Sequence, residues 1–262
     1  MDLIDIGANL THESFREDFD AVLARAKAHG VTRIVVTGAS AGGSRAAREL
    51  AATHRGFLFA TAGVHPHHAH EYDDATDALL RQLAADPLVR AVGETGLDYF
   101  RNYSPHAAQV DAFERQLAIA IDTGKPLFLH QRDAHADFVA CLDHVRHRVG
   151  RAVVHCFTGG RDELVAYLDR GFHIGITGWI CDERRGVHLR ELARLIPADR
   201  LMIETDAPYL LPRDLKPKPS HRRNEPMYLA HVCAAVAEAR GQSVEATASA
   251  ATAVARAFFG IE

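Results

Sequence analysis

The sequence predicts a (β/α)8 barrel. Three observations carry this expectation. About eight short, apolar, β-rich stretches recur along the chain, helical patterns lie between them, and no glycine-rich phosphate loop follows the first strand. Strands separated by helices pair in parallel through crossovers. An open doubly wound sheet would usually carry G-x-G-x-x-G after strand one, where this chain reads DIGANLTH. No linker, low-complexity run or solenoid repeat interrupts the pattern, so residues 1–262 read as a single domain.

The first strand is LIDIG. Phe15, Phe19, Val22, Leu23 and Ala26 then share one helical face, Gly30 follows, and RIVVTG is strand two. A stretch ending at Gly56 precedes FLFATAGV, and VRAVGE is the fourth strand. Residues 104–124 open with Ser104 and Pro105, an N-cap and first-turn pair, and close on Gly124 before PLFLH. The helical stretch 134–149 ends at Gly150 ahead of AVVHC. RDELVAYLDR ends at Gly171 ahead of FHIGITG. LMIETD is the eighth strand, and a helical segment over 243–259 closes the chain. Glycine suits the helix stops because the left-handed conformation there penalises a Cβ.

Composition narrows the class. The chain is 47% hydrophobic and 24% charged, ordinary for a globular protein with a sizeable core. A formal charge of −4 excludes a global basic field for gripping long duplex, though local basic loops are compatible with it. The cysteines at 141, 156, 181 and 233 form no CxxC pair, which argues against a zinc finger or redox motif and for a reducing cytoplasm. No basic-then-apolar leader follows Met1, and no apolar run approaches the ~18 residues of a membrane span. A cytoplasmic location is the expectation.

Polar residues interrupt the strands at one end. His65 ends strand three, Glu94 strand four, His130 strand five, His155 strand six and Asp206 strand eight. Asp5 on strand one can join from slightly deeper. The carboxyl ends of barrel strands meet on one face, so these residues are expected to converge. Each alone has an ordinary reading, a hydrogen-bonded histidine or a helix-capping aspartate. Together, three imidazoles and two carboxylates at homologous points need a cation to join them. Two imidazoles and a carboxylate suit zinc, manganese or iron and leave positions open for water and substrate. Asp206 is then the candidate base, with Glu204 supporting it. His67, His68 and His70 read as solvated loop residues, and Cys156 as packing. Arg132 shares the strand-face direction of His130 and can hold an anionic oxygen. The loop after strand eight carries Arg213, Lys216, Lys218, Arg222 and Arg223, and Trp179 lies beside Arg184 and Arg185. These suit a phosphate-bearing substrate with a stacked base; a solvated charge run and a tryptophan plugging the rim are the ordinary readings.

DIGANLT, TAGVHPH, GETGLD, PLFLHQRDA, HCFTG, GITGWICDERRG, IETDAPYLLPRDL and RRNEP, in this order, resemble the TatD family of metal-dependent deoxyribonucleases, within the amidohydrolase-like TIM barrels. The resemblance runs from Asp5 to the chain end. It implies a 3′→5′ exonuclease on single-stranded DNA, with RNA as a further substrate, dependent on a divalent ion (magnesium, manganese or zinc). It also implies a role in DNA repair or turnover. By the same resemblance Glu94, His130 and His155 are metal ligands, Asp206 is the catalytic acid/base and His65 is a site residue. Arg132, Arg222, Arg223 and Trp179 are expected to bind substrate, single-stranded 3′ ends, and the protein is expected to act as a monomer. Many members open with Asp-x-His-x-His, whereas this chain has Gly7 and Asn9 at those histidine positions. One tight metal site is therefore expected, with at most a weak second. Two other classes compete. One is a small-molecule metal-dependent hydrolase (amidohydrolase, lactonase or phosphotriesterase), which usually needs the histidine pair. The other is a non-catalytic nucleic-acid-binding protein.

Overall fold

The computed structural model describes residues 1–262. Its strands are β1 (Leu3–Ala8), β2 (Val31–Val36), β3 (Leu58–Ala62), β4 (Val89–Asp98), β5 (Leu127–Arg132), β6 (Ala152–Val154), β7 (His173–Ile176) and β8 (Leu201–Ile203). They form one eight-stranded sheet in sequence order, β1 to β8. The helices are α1 (Phe19–Ala28), α2 (Ala41–Thr53), α3 (Asp74–Ala84), α4 (His106–Thr123), α5 (His135–Val145), α6 (Arg161–Asp169), α7 (Val187–Leu192), α8 (Leu229–Arg240) and α9 (Val244–Phe259). This is the (β/α)8 barrel. The chain divides into two compact units, Val36–His155 and Met1–Val35 with Cys156–Glu262.

In the unit Val36–His155, β3 to β6 pair in parallel, with His130 in register with Gly96 and Arg132 with Asp98. The apolar side of α4 buries Phe113 and Leu117, and the Phe113 ring stacks on Phe138 of α5 at 5.5 Å between centroids. Burying each such side chain contributes about 1.5–3 kcal/mol. Two buried glutamines sit two turns apart on the same helix face. Gln116 clamps Val64, accepting from its N–H at 2.7 Å and donating to its carbonyl at 3.1 Å. Gln109 does the same to Asp98, at 2.8 and 3.1 Å. Helix α4 thereby holds the ends of β3 and β4, at Asp98 and beside His65.

Strand β4 does not end at Glu94; it continues to Asp98. Its pairing with β5 slips between Val92 and Thr95, so Gly93 and Glu94 form an irregularity in mid-strand. Two glycines allow the close approach. A Cβ on Gly93 would collide with the Phe128 carbonyl and one on Gly96 with the His130 carbonyl, and both residues have φ well above zero, at 135° and 141°. Changing Gly96 to alanine is expected to cost about 3 kcal/mol, combining steric overlap and backbone strain. Denaturant unfolding with an unchanged m-value would measure it.

Ser104 differs from its expected role. Pro105 precedes α4 without a side-chain cap, and the Ser104 hydroxyl instead accepts from the His70 N–H at 3.2 Å and donates to the His67 carbonyl at 3.0 Å. It ties down the 3₁₀ turn Pro66–Glu71.

In the other unit, the first strand meets the last. The Asp206 N–H donates to the Gly7 carbonyl at 2.8 Å, and the Asn9 N–H to that of Ala207. Buried Asp5 accepts from the Thr205 N–H at 2.9 Å and the Thr205 hydroxyl at 2.5 Å. Burial pushes its carboxyl up to about 7 despite these bonds. Asp5 is thus a barrel-closing residue whose partners are on Thr205 and Gly7. Helices α7 and α8 sit in this unit, where the sequence pattern signalled neither. No helix is long and apolar enough to cross a membrane.

Candidate active site

Within the unit Val36–His155, three imidazoles converge on one carboxylate oxygen. Glu94 Oε1 lies 3.3 Å from His65 Nε2, 3.2 Å from His130 Nδ1 and 2.7 Å from His155 Nε2. Each side chain is positioned by its element. Glu94 sits at the β4 irregularity, 6% exposed. His130 is on β5, and His155 follows β6, its backbone N–H held by Leu129 O and its ring stacked on Phe128 at 4.5 Å. His65 caps the Pro66–Glu71 turn.

The hydrogen bonds assign the tautomers. His65 Nδ1 accepts from the His67 N–H at 3.0 Å, so the ring proton sits on Nε2 and points toward Glu94 as a donor. His130 is the opposite case. Its Nε2 faces Asp98 Oδ2 at 3.2 Å, an acceptor-only oxygen, so the proton lies there. In the neutral ring, the Nδ1 lone pair is then aimed at a Glu94 oxygen 3.2 Å away. Two lone pairs face each other unless a cation or a second proton stands between them. Ligand–ligand spacings of about 3 Å are what bonds of roughly 2.1 Å to one ion produce. Glu94 and His130 therefore fit a divalent ion, and His155 Nε2, 2.7 Å from the same Glu94 oxygen, can join them once it carries no proton, while His65 presents a proton instead of a lone pair. His65, Glu94 and His130 also group within metal-binding distance.

The electrostatics agree with a cation-seeking cluster. Burial opposes ionisation of Glu94, but the His65 and His155 rings, and the hydrogen bonds that His130 and His155 make to it when those nitrogens are protonated, hold its carboxyl well below the usual range. Burial drives His65 well below its usual value, outweighing Glu94. The same burial acts on His130, yet bonds to both Asp98 and Glu94 reverse it, so its value is raised.

Asp98 and His67 are additions to the expected set. Asp98 is 1% exposed and accepts from His130 and, at 2.9 Å, from His67 Nε2. Its other oxygen accepts the Arg101 N–H. His67 is thus not a solvated loop residue: its ring packs edge-on against His65, with 4.2 Å between centroids. The GETGLD stretch holds both carboxylates, four residues apart, but nothing local marks the second as facing His130. An Asp98→Asn variant is expected to bind Mn²⁺ about 10- to 100-fold more weakly, because the carboxylate orients the ligand and raises its basicity. Isothermal titration of the metal would read this directly.

Asp206 belongs to the other unit. It follows β8 with φ 54°, and its Oδ1 accepts from Asn9 Nδ2 at 2.9 Å. Asn9 therefore offers its amide hydrogens to Asp206. Buried Glu204 accepts from the Cys156 N–H at 2.5 Å. Trp179 is half-buried in the 3₁₀ turn Gly178–Cys181 and lines a cavity of about 270 Å³ with Arg184, Arg185 and Arg213. Arg222 lines a second cavity, of about 560 Å³, with Arg213, Lys218 and His221. In the unit Val36–His155, the Arg132 guanidinium lies 3.8 Å from the Phe100 ring centroid.

Arg223 has its guanidinium engaged within the protein. It donates to the Ser14 carbonyl, to both Asp18 oxygens at 2.8 and 2.7 Å, and to Glu225 at 2.7 Å. Arg25 joins the same carboxylates. The hydrogen bond from Arg223 is the main cause holding the Asp18 carboxyl down at about 2. A depressed carboxyl contributes stability above its unfolded value, near 3.8, and loses it as pH falls toward 2. Arg223→Gln is accordingly expected to destabilise more at about pH 5 than at about pH 2.5. Urea unfolding of both proteins at the two pH values would show it; an equal penalty at both would sink the assignment.

The family model for TatD related DNase matches residues 4–260. A protein from Pantoea vagans named 3′-5′ ssDNA/RNA exonuclease TatD is 53% identical, covering 94% of this chain and 95% of its own. Its namesake from Pantoea ananatis is 50% identical over 99% of this chain and all of its own. Among solved structures, a TatD family hydrolase from Entamoeba histolytica superposes with a TM-score of 0.90 at 26% identity, covering 100% of this chain and 99% of that one. A TatD homologue from Escherichia coli gives 0.89 at 28% identity, covering 99% and 98%.

Proposed function

This chain belongs to the TatD family of DNases, and from that premise we propose that it is a metal-dependent 3′→5′ exonuclease hydrolysing phosphodiester bonds of single-stranded DNA and RNA. The observation that carries the reading is the convergence of His130 and His155 on Glu94, in a chain that matches the family over nearly its whole length. Glu94, His130 and His155 would hold the divalent ion: magnesium, manganese or zinc. When bound, such an ion polarises a phosphoryl oxygen and makes a water nucleophilic near neutral pH.

The chain's own residues do the rest. Asp206 takes the proton of the attacking water, its carboxylate oriented by the Asn9 amide. His65 presents Nε2–H to a phosphoryl or leaving-group oxygen, a role for a donor and not for a ligand. Asp98 keeps His130 in the tautomer whose Nδ1 faces the centre. Arg132 and Arg222 hold phosphate oxygens, Arg223 anchors the loop from which Arg222 projects, and Trp179 stacks a base. The match over 4–260 supports treating the chain as a single domain. We place it in the cytoplasm, as a monomer acting in DNA repair or turnover.

The test uses 3′-tailed and 5′-tailed oligonucleotides, single-end labelled, with magnesium, manganese or chelator. Stepwise shortening from the 3′ end is expected, abolished by chelator and by Asp206→Asn or His155→Ala. Turnover of small amides or lactones without DNA cleavage would overturn the reading in favour of a small-molecule hydrolase. Tight single-strand binding with no cleavage under any metal would favour a binding protein.

A further inference from the structure

A second cluster of metal-ligating side chains lies in the unit holding α7 and α8 and shares no residue with the Glu94 cluster. We propose that Cys181, Asp214 and His231 form a separate metal site, taking zinc or a similarly thiophilic divalent ion, which clips the loop after β8 to the turn after β7 and to α8.

Three different elements supply the donors. Cys181 closes the turn Gly178–Cys181 and is 2% exposed. Asp214 belongs to the loop between β8 and α8, and His231 to the first turn of α8. His231 Nε2 is 2.7 Å from Asp214 Oδ1, and one ligand atom from each of the three residues lies within 4.8 Å of the others. Thiolate, imidazole and carboxylate together are a donor set for zinc, with a fourth position left to water.

The surroundings support a cation. Arg190 lies 3.9 Å from the other Asp214 oxygen and 3.3 Å from Glu238, and its Nε donates to the Ile180 carbonyl. It therefore braces Asp214 from behind and leaves Oδ1 on His231 Nε2. Two carboxylates against one guanidinium leave the locality negative before the thiol ionises. The residue before Asp214 is Arg213, which lines the cavity with Lys218 and Arg222. Fixing Asp214 thus fixes the base of the cationic loop.

Cobalt tests this independently of nuclease activity, because the Glu94 cluster has no sulfur ligand. Full-length protein, freed of metal by chelator, is titrated with Co²⁺. A thiolate-to-cobalt charge-transfer band in the near ultraviolet is expected, saturating within two equivalents per chain because the Glu94 cluster also takes cobalt, and displaced by Zn²⁺. It should be retained in Cys156→Ser, the control for the thiol beside His155, and lost in Cys181→Ser. Should Cys181→Ser fail to fold, His231→Ala serves, with the band weakened at least tenfold in apparent affinity. No band in the wild-type protein at saturating Co²⁺, or a band that survives Cys181→Ser, would overturn the proposal.

Discussion

Glu94→Gln is expected to abolish measurable divalent-ion binding at the catalytic centre and to lower exonuclease turnover by roughly 10³-fold or more, the scale on which losing a charge-stabilising ion acts. The geometry explains why the effect is so large. A single oxygen of Glu94 is the point on which the rings of His65, His130 and His155 close. A glutamine keeps the shape but removes the only negative charge touching all three rings. It also offers an amide that can turn its hydrogens toward the lone pair of His130. Mn²⁺ titration calorimetry and 3′-end shortening would be measured together. A variant that kept both wild-type affinity and turnover would remove Glu94 from the centre.

The second large effect is expected at Asp206, and its pattern is different. Asp206→Asn should lower kcat by about 10²- to 10⁴-fold, the range for loss of a general base, while leaving Mn²⁺ affinity within a fewfold of wild type. Asparagine is the informative replacement because it tolerates the left-handed backbone at φ 54° and remains able to bond to Asn9. What it loses is the capacity to take a proton. If metal affinity fell in step with kcat, Asp206 would be acting as a ligand and the base would have to be sought elsewhere. The two variants therefore separate holding the ion from moving the proton.

The alternation of apolar strand and helix was readable locally because it is a local requirement. A parallel strand buried on both faces must be apolar, and a covering helix must be apolar on one side. His130 and His155 stood out for the same reason, as polar residues at the end of otherwise apolar runs. Glu94 stood out too, but the sequence pattern ended its strand there. The structure carries β4 on to Asp98 through an irregularity that only the close approach of Gly93 and Gly96 to β5 permits. Ser104 shows the converse limit. A Ser-Pro pair before a helix suggests a cap, yet the hydroxyl bonds to His70 and His67, whose proximity no local rule reports.

The sequence by itself determined the barrel, the family and the residue types able to carry a metal-dependent hydrolysis, because periodicity and motif spacing are properties of neighbours along the chain. The tertiary structure alone decided which nitrogen of each histidine faces the centre, that Asp98 and His67 stand behind it, that Arg223 is spent on Asp18 and Glu225, and that Cys181, Asp214 and His231 meet. Apart from the bonds of His67 to His65 and of Arg223 to Glu225, two positions apart, those facts depend on contacts between residues tens to hundreds of positions apart. Their partners are chosen by packing, and packing is not written in any one stretch.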